Sequence, residues 1–229
     1  MDIRFFEDLG IRAGITQAPG DADEKRKQLA EKALWGEHII VPTQVHGVRV
    51  VPVTRDLLDG MGTLAEIGEC DGMVTDLPGV TLTTKHADCV PVFAYDPVKK
   101  VIGLAHAGWR GTADGIAAVL ALTMIQIYGC DPTDIKAAIG PAIGRCHFEV
   151  SEDVTEEFIT KMPWCEDYID AGQKPGKYMI DLKGINTELL KMFGITDTLV
   201  SPVCTFEDDN CYSYRRNGTD KRMLAYISL

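Results

Sequence analysis

GVTLTTKHADCVPVFAYDPVKKVIGLAHAG, residues 79–108, contains three short apolar runs separated by a polar loop and a tight turn. The segments GVTLTT, VPVFAYD and KVIGLAHAG are rich in the residues that favour strands, and DPVKK is typical of a turn. They predict three strands at the centre of a sheet. Directly after them, TADGIAAVLALTMIQIYG predicts a buried helix of about four turns, which begins at a Thr112 cap and ends at Gly129.

Strand-like and helix-like segments alternate on both sides of this centre. On the N-terminal side we expect a strand in DIRFF, a helix in ADEKRKQLAEKAL, and a strand pair in HIIVPTQVHG and VRVVPV that turns at Gly47. The helix places Leu29, Ala33 and Leu34 on one face. The pattern contains no linker, which predicts a single domain over residues 1–229.

The C-terminal half continues the alternation. IKAAIGPAIG predicts a strand and a tight turn, SEDVTEEFITKM a helix capped by Ser151, and GINTELLKMFG a helix that packs its apolar side. The chain ends in CYSYRRNGTDKRMLAYISL, which resembles a hairpin. Because hairpin turns and crossover helices both occur, the predicted class is α/β, a sandwich with a mixed β-sheet and flanking helices.

Composition excludes several functions. The 229 residues are 45% hydrophobic and carry a net charge of −11, which disfavours nucleic acid and anionic membranes as partners. The N-terminus lacks the pattern of a secretory signal, and no apolar run approaches the roughly 20 residues that span a bilayer. We therefore expect a cytoplasmic protein. Its seven cysteines include no CxxC pair, so we expect thiols and no zinc finger.

Three histidines stand at predicted strand ends, in QVHG, KHADC and LAHAG. His46, Cys89 and His106 offer the imidazole and thiolate ligands that zinc prefers, and three protein ligands leave a fourth position open. The alternative is that each histidine is a buried side chain bonded to the backbone. His86, three residues before Cys89, is a candidate base or additional ligand.

Three arginines are candidate anion ligands. Arg110 in AHAGWRG lies between two glycines at the start of the predicted helix, where a phosphate or carboxylate is favoured, although it could instead pair with Asp114. YSYRRNG supplies Ser213, Arg215 and Arg216, and on a strand only one of two adjacent arginines can face a site. IGPAIGRCHFEV, which carries Cys146 and His147, is interpreted as a tight turn before a helix.

QVHG, HADCVPV, AHAGWRG, IGPAIGRC and SYRRNG occur in this order, and from about residue 38 onwards the chain resembles the laccase-domain family. This family, also called YfiH-like, includes proteins described as polyphenol oxidases and as purine nucleoside phosphorylases. The resemblance implies an α/β sandwich and one zinc ion held by His46, Cys89 and His106. Adventitious copper in the same site could give weak polyphenol oxidase activity in vitro. It also implies phosphorolysis of adenosine, inosine, guanosine or methylthioadenosine, with adenosine deamination as a further activity.

For a nucleoside enzyme, Asp88 or His86 would move protons, and Arg110 with Arg215 or Arg216 would hold phosphate. Asp88 could equally serve only to fix its loop. A multicopper oxidase needs about ten histidines, whereas this chain has five. A cysteine hydrolase, with Cys89 as nucleophile, His106 or His86 as base and Asp88 as orienting group, stays open, as does a zinc-binding interaction module.

Overall fold

The computed structural model of the chain describes residues 2–31 and 36–229. These residues form fifteen strands and seven α-helices, with two short 3₁₀ segments at Glu7–Leu9 and Pro163–Tyr168. The strands are β1 (Ile3–Phe5), β2 (Arg12–Ile15), β3 (His38–Thr43), β4 (Val50–Pro52), β5 (Leu64–Glu69), β6 (Gly72–Thr75), β7 (Val80–His86), β8 (Val90–Asp96), β9 (Val101–Ala107), β10 (Lys136–Ile139), β11 (Glu149–Ser151), β12 (Ile169–Ala171), β13 (Lys177–Ile180), β14 (Asp197–Val200) and β15 (Met223–Ser228).

Along the chain, the helices occur between the strands, as expected for an α/β protein. They are α1 (Ala22–Glu31), α2 (Arg55–Leu58), α3 (Trp109–Ala113), α4 (Ile116–Tyr128), α5 (Glu152–Lys161), α6 (Leu182–Met192) and α7 (Tyr214–Asn217). None of the helices in the described part of the chain is both long and apolar enough to cross a membrane.

The strands form two large mixed sheets and one small sheet. The first sheet has the order β1-β2-β15-β7-β3-β5, the second β14-β10-β8-β9-β6-β4, and the small third sheet β11-β13-β12. Parallel pairs, such as β3 with β7, occur beside antiparallel pairs, such as β8 with β9. The predicted α/β class with a mixed sheet is confirmed.

The second sheet is the middle layer, because both of its faces are covered. Along β8, Val92 and Ala94 belong to the core that packs on the helices, whereas Phe93 and Tyr95 belong to the core against the first sheet. All seven residues of β8 are buried. A strand covered on both sides has no polar face, which explains the continuous apolar runs in the sequence.

Helix α4 packs closely on β9 at Gly103. A Cβ atom built there would lie 3.1 Å from Leu120 Cδ1 and 3.3 Å from Met124 Sδ, so a larger residue would push the helix away. The α4 helix ends at Gly129 in the left-handed conformation, as predicted, but it begins after Gly115. Thr112 is not its cap, because Thr112 lies inside the separate helix α3.

Three predictions about which strands pair with each other were wrong. β7 lies in the first sheet and not beside β8, because the chain crosses between the sheets in the loop at 87–89. β3 and β4 likewise lie in different sheets and do not pair around Gly47. The C-terminal segment is no hairpin, since YRRN is the short helix α7 and only β15 follows it.

The helix predictions were nearer to the structure. Ser151 stands at the cap position of α5, although its side chain bonds Asp153 instead of a helix amide. Helix α1 buries Ala22 and Arg26, while Leu29 is half-buried. Ala33 and Leu34 lie outside the described residues.

Candidate active site and metal centre

The three predicted metal ligands meet at one edge of the sandwich. His46 lies in the loop after β3, Cys89 directly precedes β8, and His106 lies near the end of β9. One donor atom of each side chain lies within 4.8 Å of those of the others. Because β3 belongs to the first sheet and β8 and β9 to the second, the site forms only when the two sheets pack together.

Asp71 holds this site together, and the sequence analysis missed it. Its fully buried carboxylate accepts hydrogen bonds from the backbone N–H groups of Val45, His46 and Gly47, at 3.1, 3.0 and 2.8 Å. These bonds fix the loop in which His46 has the left-handed φ of 61°. The available signal was an acid directly before the buried run GMVT, since a buried carboxylate needs partners.

Asp71 also orients the second histidine. His106 Nδ1 lies 2.8 Å from Asp71 Oδ1. Burial alone would raise the pKa of Asp71, but the hydrogen bonds of His106 and the loop amides outweigh it and lower this pKa. The carboxylate therefore accepts, Nδ1–H donates, and Nε2 of His106 remains available to a ligand.

Cys89 and His106 are strongly coupled. Burial opposes ionisation of the Cys89 thiol, but the charge of His106 and the hydrogen bonds from both histidines prevail and lower its pKa to about 6. Burial likewise opposes protonation of His106, whose pKa is nevertheless raised to about 9 by Cys89 and Asp71. The surroundings therefore favour the ionised form of Cys89 and the protonated form of His106.

This donor set fits a metal ion. Zinc is bound by imidazole nitrogen and thiolate sulfur, and the site offers two imidazoles and one thiolate. The lowered pKa of Cys89 favours the thiolate, and metal-binding histidines commonly donate to a carboxylate as His106 does to Asp71. His46, Cys89 and His106 would leave one tetrahedral position for water or substrate.

The site opens into a cavity of about 660 Å³. All three candidate ligands line this cavity, together with the aromatic side chains of Trp109, Phe148 and Tyr214. Four cationic side chains line it as well, namely Lys85, Arg110, Arg215 and Arg222. A cavity of this size, with planar apolar surfaces and positive charge, suits a small organic anion or an organic molecule together with an inorganic anion.

Arg110 is positioned as an anion ligand. Its guanidinium stacks over the Trp109 ring, 4.2 Å from the ring centroid. Asp114, the alternative partner named from the sequence, pairs with Lys161 at 2.6 Å. In the described part of the chain no carboxylate forms an ion pair with Arg110, so its planar donor edge remains available.

Asp88 and Arg215 join two loops at the cavity. Asp88 Oδ1 accepts a hydrogen bond of 2.6 Å from Thr205 Oγ1, and Oδ2 accepts one of 2.7 Å from the Arg215 backbone N–H. Arg215 Nη1 donates to the Glu149 carbonyl at 2.8 Å. The hydrolase hypothesis named Asp88 as the group that orients His106. That prediction was wrong, because Asp71 is the carboxylate bonded to His106.

Three other predicted site residues lie behind the cavity wall. Arg216 donates to the carbonyl oxygens of Phe206 and Cys211, and Ser213 Oγ accepts a hydrogen bond from the Arg216 backbone N–H. His86 is fully buried, with Nε2 2.8 Å from Thr84 Oγ1 and Nδ1 3.0 Å from the Cys89 carbonyl oxygen. Of the adjacent arginines, only Arg215 lines the cavity, and both lie on α7, not on a strand.

The comparison with known proteins places this chain in a family. Residues 4–229 match the family described as multi-copper polyphenol oxidoreductase laccase, and the chain belongs to that family. It is 36% identical over 232 residues to purine nucleoside phosphorylase YlmD of Geobacillus stearothermophilus, covering 96% of this chain and 82% of that protein. The purine nucleoside phosphorylase ORF3 of Streptomyces griseus is 34% identical, with 98% of this chain and 88% of that protein covered.

Solved structures agree with this assignment. The crystal structure of Bacillus licheniformis hypothetical protein YfiH superposes with a TM-score of 0.88 at 31% identity, covering 100% of this chain and 96% of that one. YlmD from Geobacillus stearothermophilus superposes with a TM-score of 0.86 at 33% identity, covering 96% and 92%. The predicted membership of a YfiH-like laccase-domain family is confirmed.

Proposed function

We propose that this protein is a metal-dependent purine nucleoside phosphorylase that binds nucleoside and inorganic phosphate together in the 660 Å³ cavity. The observation that carries the proposal is that the His46, Cys89 and His106 cluster and the cationic side chains line the same cavity. The names of the relatives support the same activity. The proposed substrates are adenosine, inosine, guanosine and methylthioadenosine.

Phosphorolysis requires a positioned anion. A phosphate oxygen forms a bond to C1′ while the glycosidic C1′–N9 bond breaks, and the purine leaves with the bonding electron pair. Phosphate must therefore be desolvated and held against C1′. Arg110, stacked on Trp109, presents a planar fork that matches two phosphate oxygens, and Arg215 adds a second positive charge.

The purine must lie between flat surfaces for its bond to C1′ to face the anion. Trp109, Phe148 and Tyr214 provide such surfaces in the cavity. Phe148 is held by Arg215, whose guanidinium carbon lies 5.2 Å from its ring centroid. Asp88 positions Arg215 through the backbone bond described above, and its other oxygen accepts from Thr205.

The proposed metal is Zn²⁺, held by His46, Cys89 and His106. When bound, it supplies a Lewis acid that polarises an oxygen or nitrogen of the substrate. Asp71 keeps His106 in the tautomer that presents Nε2 and keeps His46 in its strained loop conformation. The remaining work of the chain is to orient the purine and the phosphate and to exclude water between them.

A product assay tests this proposal. The purified protein, with its bound metals measured, is incubated with each nucleoside in the presence and absence of phosphate, and free base and ribose-1-phosphate are quantified. We expect the two products in equal amounts, only with phosphate, and their loss in the Cys89→Ala variant. His38→Ala, at a half-buried histidine at the start of β3 that does not line the cavity, is the matched control and should stay active. Absence of both products from zinc-loaded protein would refute the proposal.

We extend the proposal to adenosine deamination at the same site, since activation of water by zinc is the chemistry used by nucleobase deaminases. The product is inosine, which the same assay separates from adenine. Inosine that forms without phosphate and disappears in Cys89→Ala supports this extension. Adenine without inosine would restrict the enzyme to phosphorolysis.

One geometric observation favours a second candidate, a metal-independent cysteine hydrolase. His106 contacts both Cys89 and Asp71, which gives the nucleophile, base and orienting group of a catalytic triad. The two candidates respond differently to inhibitors. A hydrolase would resist chelators and be inactivated by alkylation of metal-free protein, whereas the phosphorylase should lose activity on chelation and regain it with Zn²⁺.

A further inference from the structure

A second group of metal-ligand side chains lies outside the candidate active site. Cys146 and His147 belong to the loop after β10, and Cys204 and Glu207 to the loop after β14. One donor atom from each of the four side chains lies within 4.8 Å of those of the other three. The two loops are neighbours because β10 and β14 pair in parallel and the Ala142–Cys204 bridge continues that pairing.

The distances match a tetrahedral ion. His147 Nδ1 lies 3.2 Å from Cys146 Sγ, 3.8 Å from Cys204 Sγ and 3.8 Å from Glu207 Oε1. With zinc bond lengths of about 2.3 Å to sulfur and about 2.0 Å to nitrogen or oxygen, tetrahedral ligand atoms lie about 3.3 to 3.8 Å apart. Small side-chain rotations would therefore bring all four ligand atoms within bonding distance of one ion.

The surroundings hold these ligands in place. The His147 ring stacks on Phe206, with 4.2 Å between centroids and 15° between planes, which fixes the imidazole plane. The Gly144 backbone N–H donates to Cys204 Sγ at 3.2 Å, which fixes the direction of that side chain. The Cys204 carbonyl accepts from the Glu207 N–H at 3.1 Å, so a tight turn presents both ligands on one side.

We infer that Cys146, His147, Cys204 and Glu207 form a second, structural zinc site that joins the two loops. Two thiolates, an imidazole and a carboxylate are a complete tetrahedral set, so no position stays open for substrate. The sequence had indicated only a tight turn at Cys146 and His147, since the partners stand 57 or more positions away. Spacing within one segment could not reveal the set.

The site would support the cavity wall. Thr205 follows the ligand Cys204 and donates to Asp88 Oδ1, while Arg215 Nη1 donates to the His147 carbonyl at 3.3 Å. An ion that fixes both loops therefore fixes two residues that line the cavity. This role is independent of the reaction proposed for the cavity, and metal binding alone tests it.

The test is a titration of the full-length chain with Zn²⁺. Protein stripped by chelator under reducing conditions is titrated calorimetrically, and bound zinc is measured after gel filtration. We expect two equivalents of zinc per chain for wild type. Each of the single variants Cys146→Ser, Cys204→Ser and His46→Ala should bind one. The Cys146→Ser and His46→Ala double variant should bind none. Cys146 is exposed, so its replacement leaves the core intact.

Matched controls separate ligands from neighbours. Glu207→Gln should weaken the second site by at least tenfold, whereas Asp209→Asn, a fully exposed acid two residues further on, should not. In His46→Ala loaded with Co²⁺, we expect the thiolate-to-cobalt absorption of a two-cysteine site, lost in Cys204→Ser. One equivalent in wild type that Cys146→Ser leaves unchanged would overturn the inference. So would a Cys146–Cys204 disulfide whose reduced form takes up no zinc.

Discussion

Asp71 and His106 form a buried hydrogen bond of 2.8 Å between Oδ1 and Nδ1, and the same carboxylate holds the backbone of His46. One aspartate thus positions two of the three candidate metal ligands, one in the loop after β3 and one on β9, which belong to different sheets. Zinc sites commonly rely on such carboxylate–histidine pairs to fix the tautomer and raise ligand basicity. Asp71 is therefore a positioning residue of the site.

Replacing Asp71 by Asn should weaken metal binding by about 10- to 100-fold, because the amide cannot accept from His106 and from all three backbone groups at once. Competition with a chromogenic chelator measures the affinity. Asp76→Asn, an exposed acid that follows the opposite end of β6, is the control and should bind as wild type. Equal affinities for wild type and Asp71→Asn would show that the pair does not position the site.

Gly108→Ala should disturb the first metal site directly. A Cβ at this position would lie 2.8 Å from His46 Cδ2 and 3.3 Å from Cys89 Sγ, so one of the two ligands must move. We expect a stability loss of about 1–3 kcal/mol and at least about tenfold weaker zinc binding. Gly62→Ala, with no atom within 4 Å of the added Cβ, is the control. Unchanged zinc affinity in Gly108→Ala would contradict the close approach.

Arg110→Ala should raise the KM for phosphate by about 10- to 100-fold, since a charge-assisted hydrogen bond contributes about 1.5–3 kcal/mol. The KM for nucleoside should change little. Arg110→Lys should recover part of the loss, because it restores the charge but not the planar fork. Steady-state kinetics with each substrate varied in turn measures this, with Arg55→Ala, an exposed arginine of α2, as control. A rise confined to the nucleoside KM would show that Arg110 contacts the nucleoside and not the phosphate.

Buried thiols should make the fold sensitive to alkali. Burial raises the pKa of Cys130 and of Cys211 to about 12, above the ordinary value of 9.0. The folded state therefore holds these protons more tightly, and the stability they confer, complete below pH 9, is lost as the pH rises toward 12. Each thiol contributes a slope of about 1.4 kcal/mol per pH unit within that window.

Urea unfolding of metal-free protein at pH 7.5 to 10.5 measures this slope. The Cys130→Ala variant removes one titrating thiol, so its free energy of unfolding should fall less steeply above pH 9 than that of wild type. The two curves should run in parallel below pH 8. Parallel curves throughout would show that Cys130 does not ionise on unfolding in this range.

Local patterns predicted the elements but not their partners. The runs at β8 and β9 and the end of α4 at Gly129 follow from side-chain chemistry and chain geometry over a few residues. The placement of β7 in the other sheet depends on packing between layers. The residues of a short segment do not specify which of the two sheets their strand joins.

The same distinction applies to the site. His46, Cys89 and His106 were found because strand ends with ligand side chains are visible in the sequence, and the family resemblance joined them. Asp71 was missed because its partners are backbone amides 24 to 26 positions away and a histidine 35 positions away. His86 was included because it is close to Cys89 in sequence; its ring is fully buried, 5.2 Å from that of His106, and does not line the cavity.

Under the proposed function, this cavity transfers a ribosyl group from a purine to phosphate in a metal-dependent reaction. The most direct measurement is the yield of ribose-1-phosphate from inosine with phosphate, for zinc-loaded, chelator-treated and Cys89→Ala protein. We expect ribose-1-phosphate equal to the hypoxanthine released in the first sample and none in the other two. Free ribose in place of ribose-1-phosphate, or equal yields in all three samples, would contradict it.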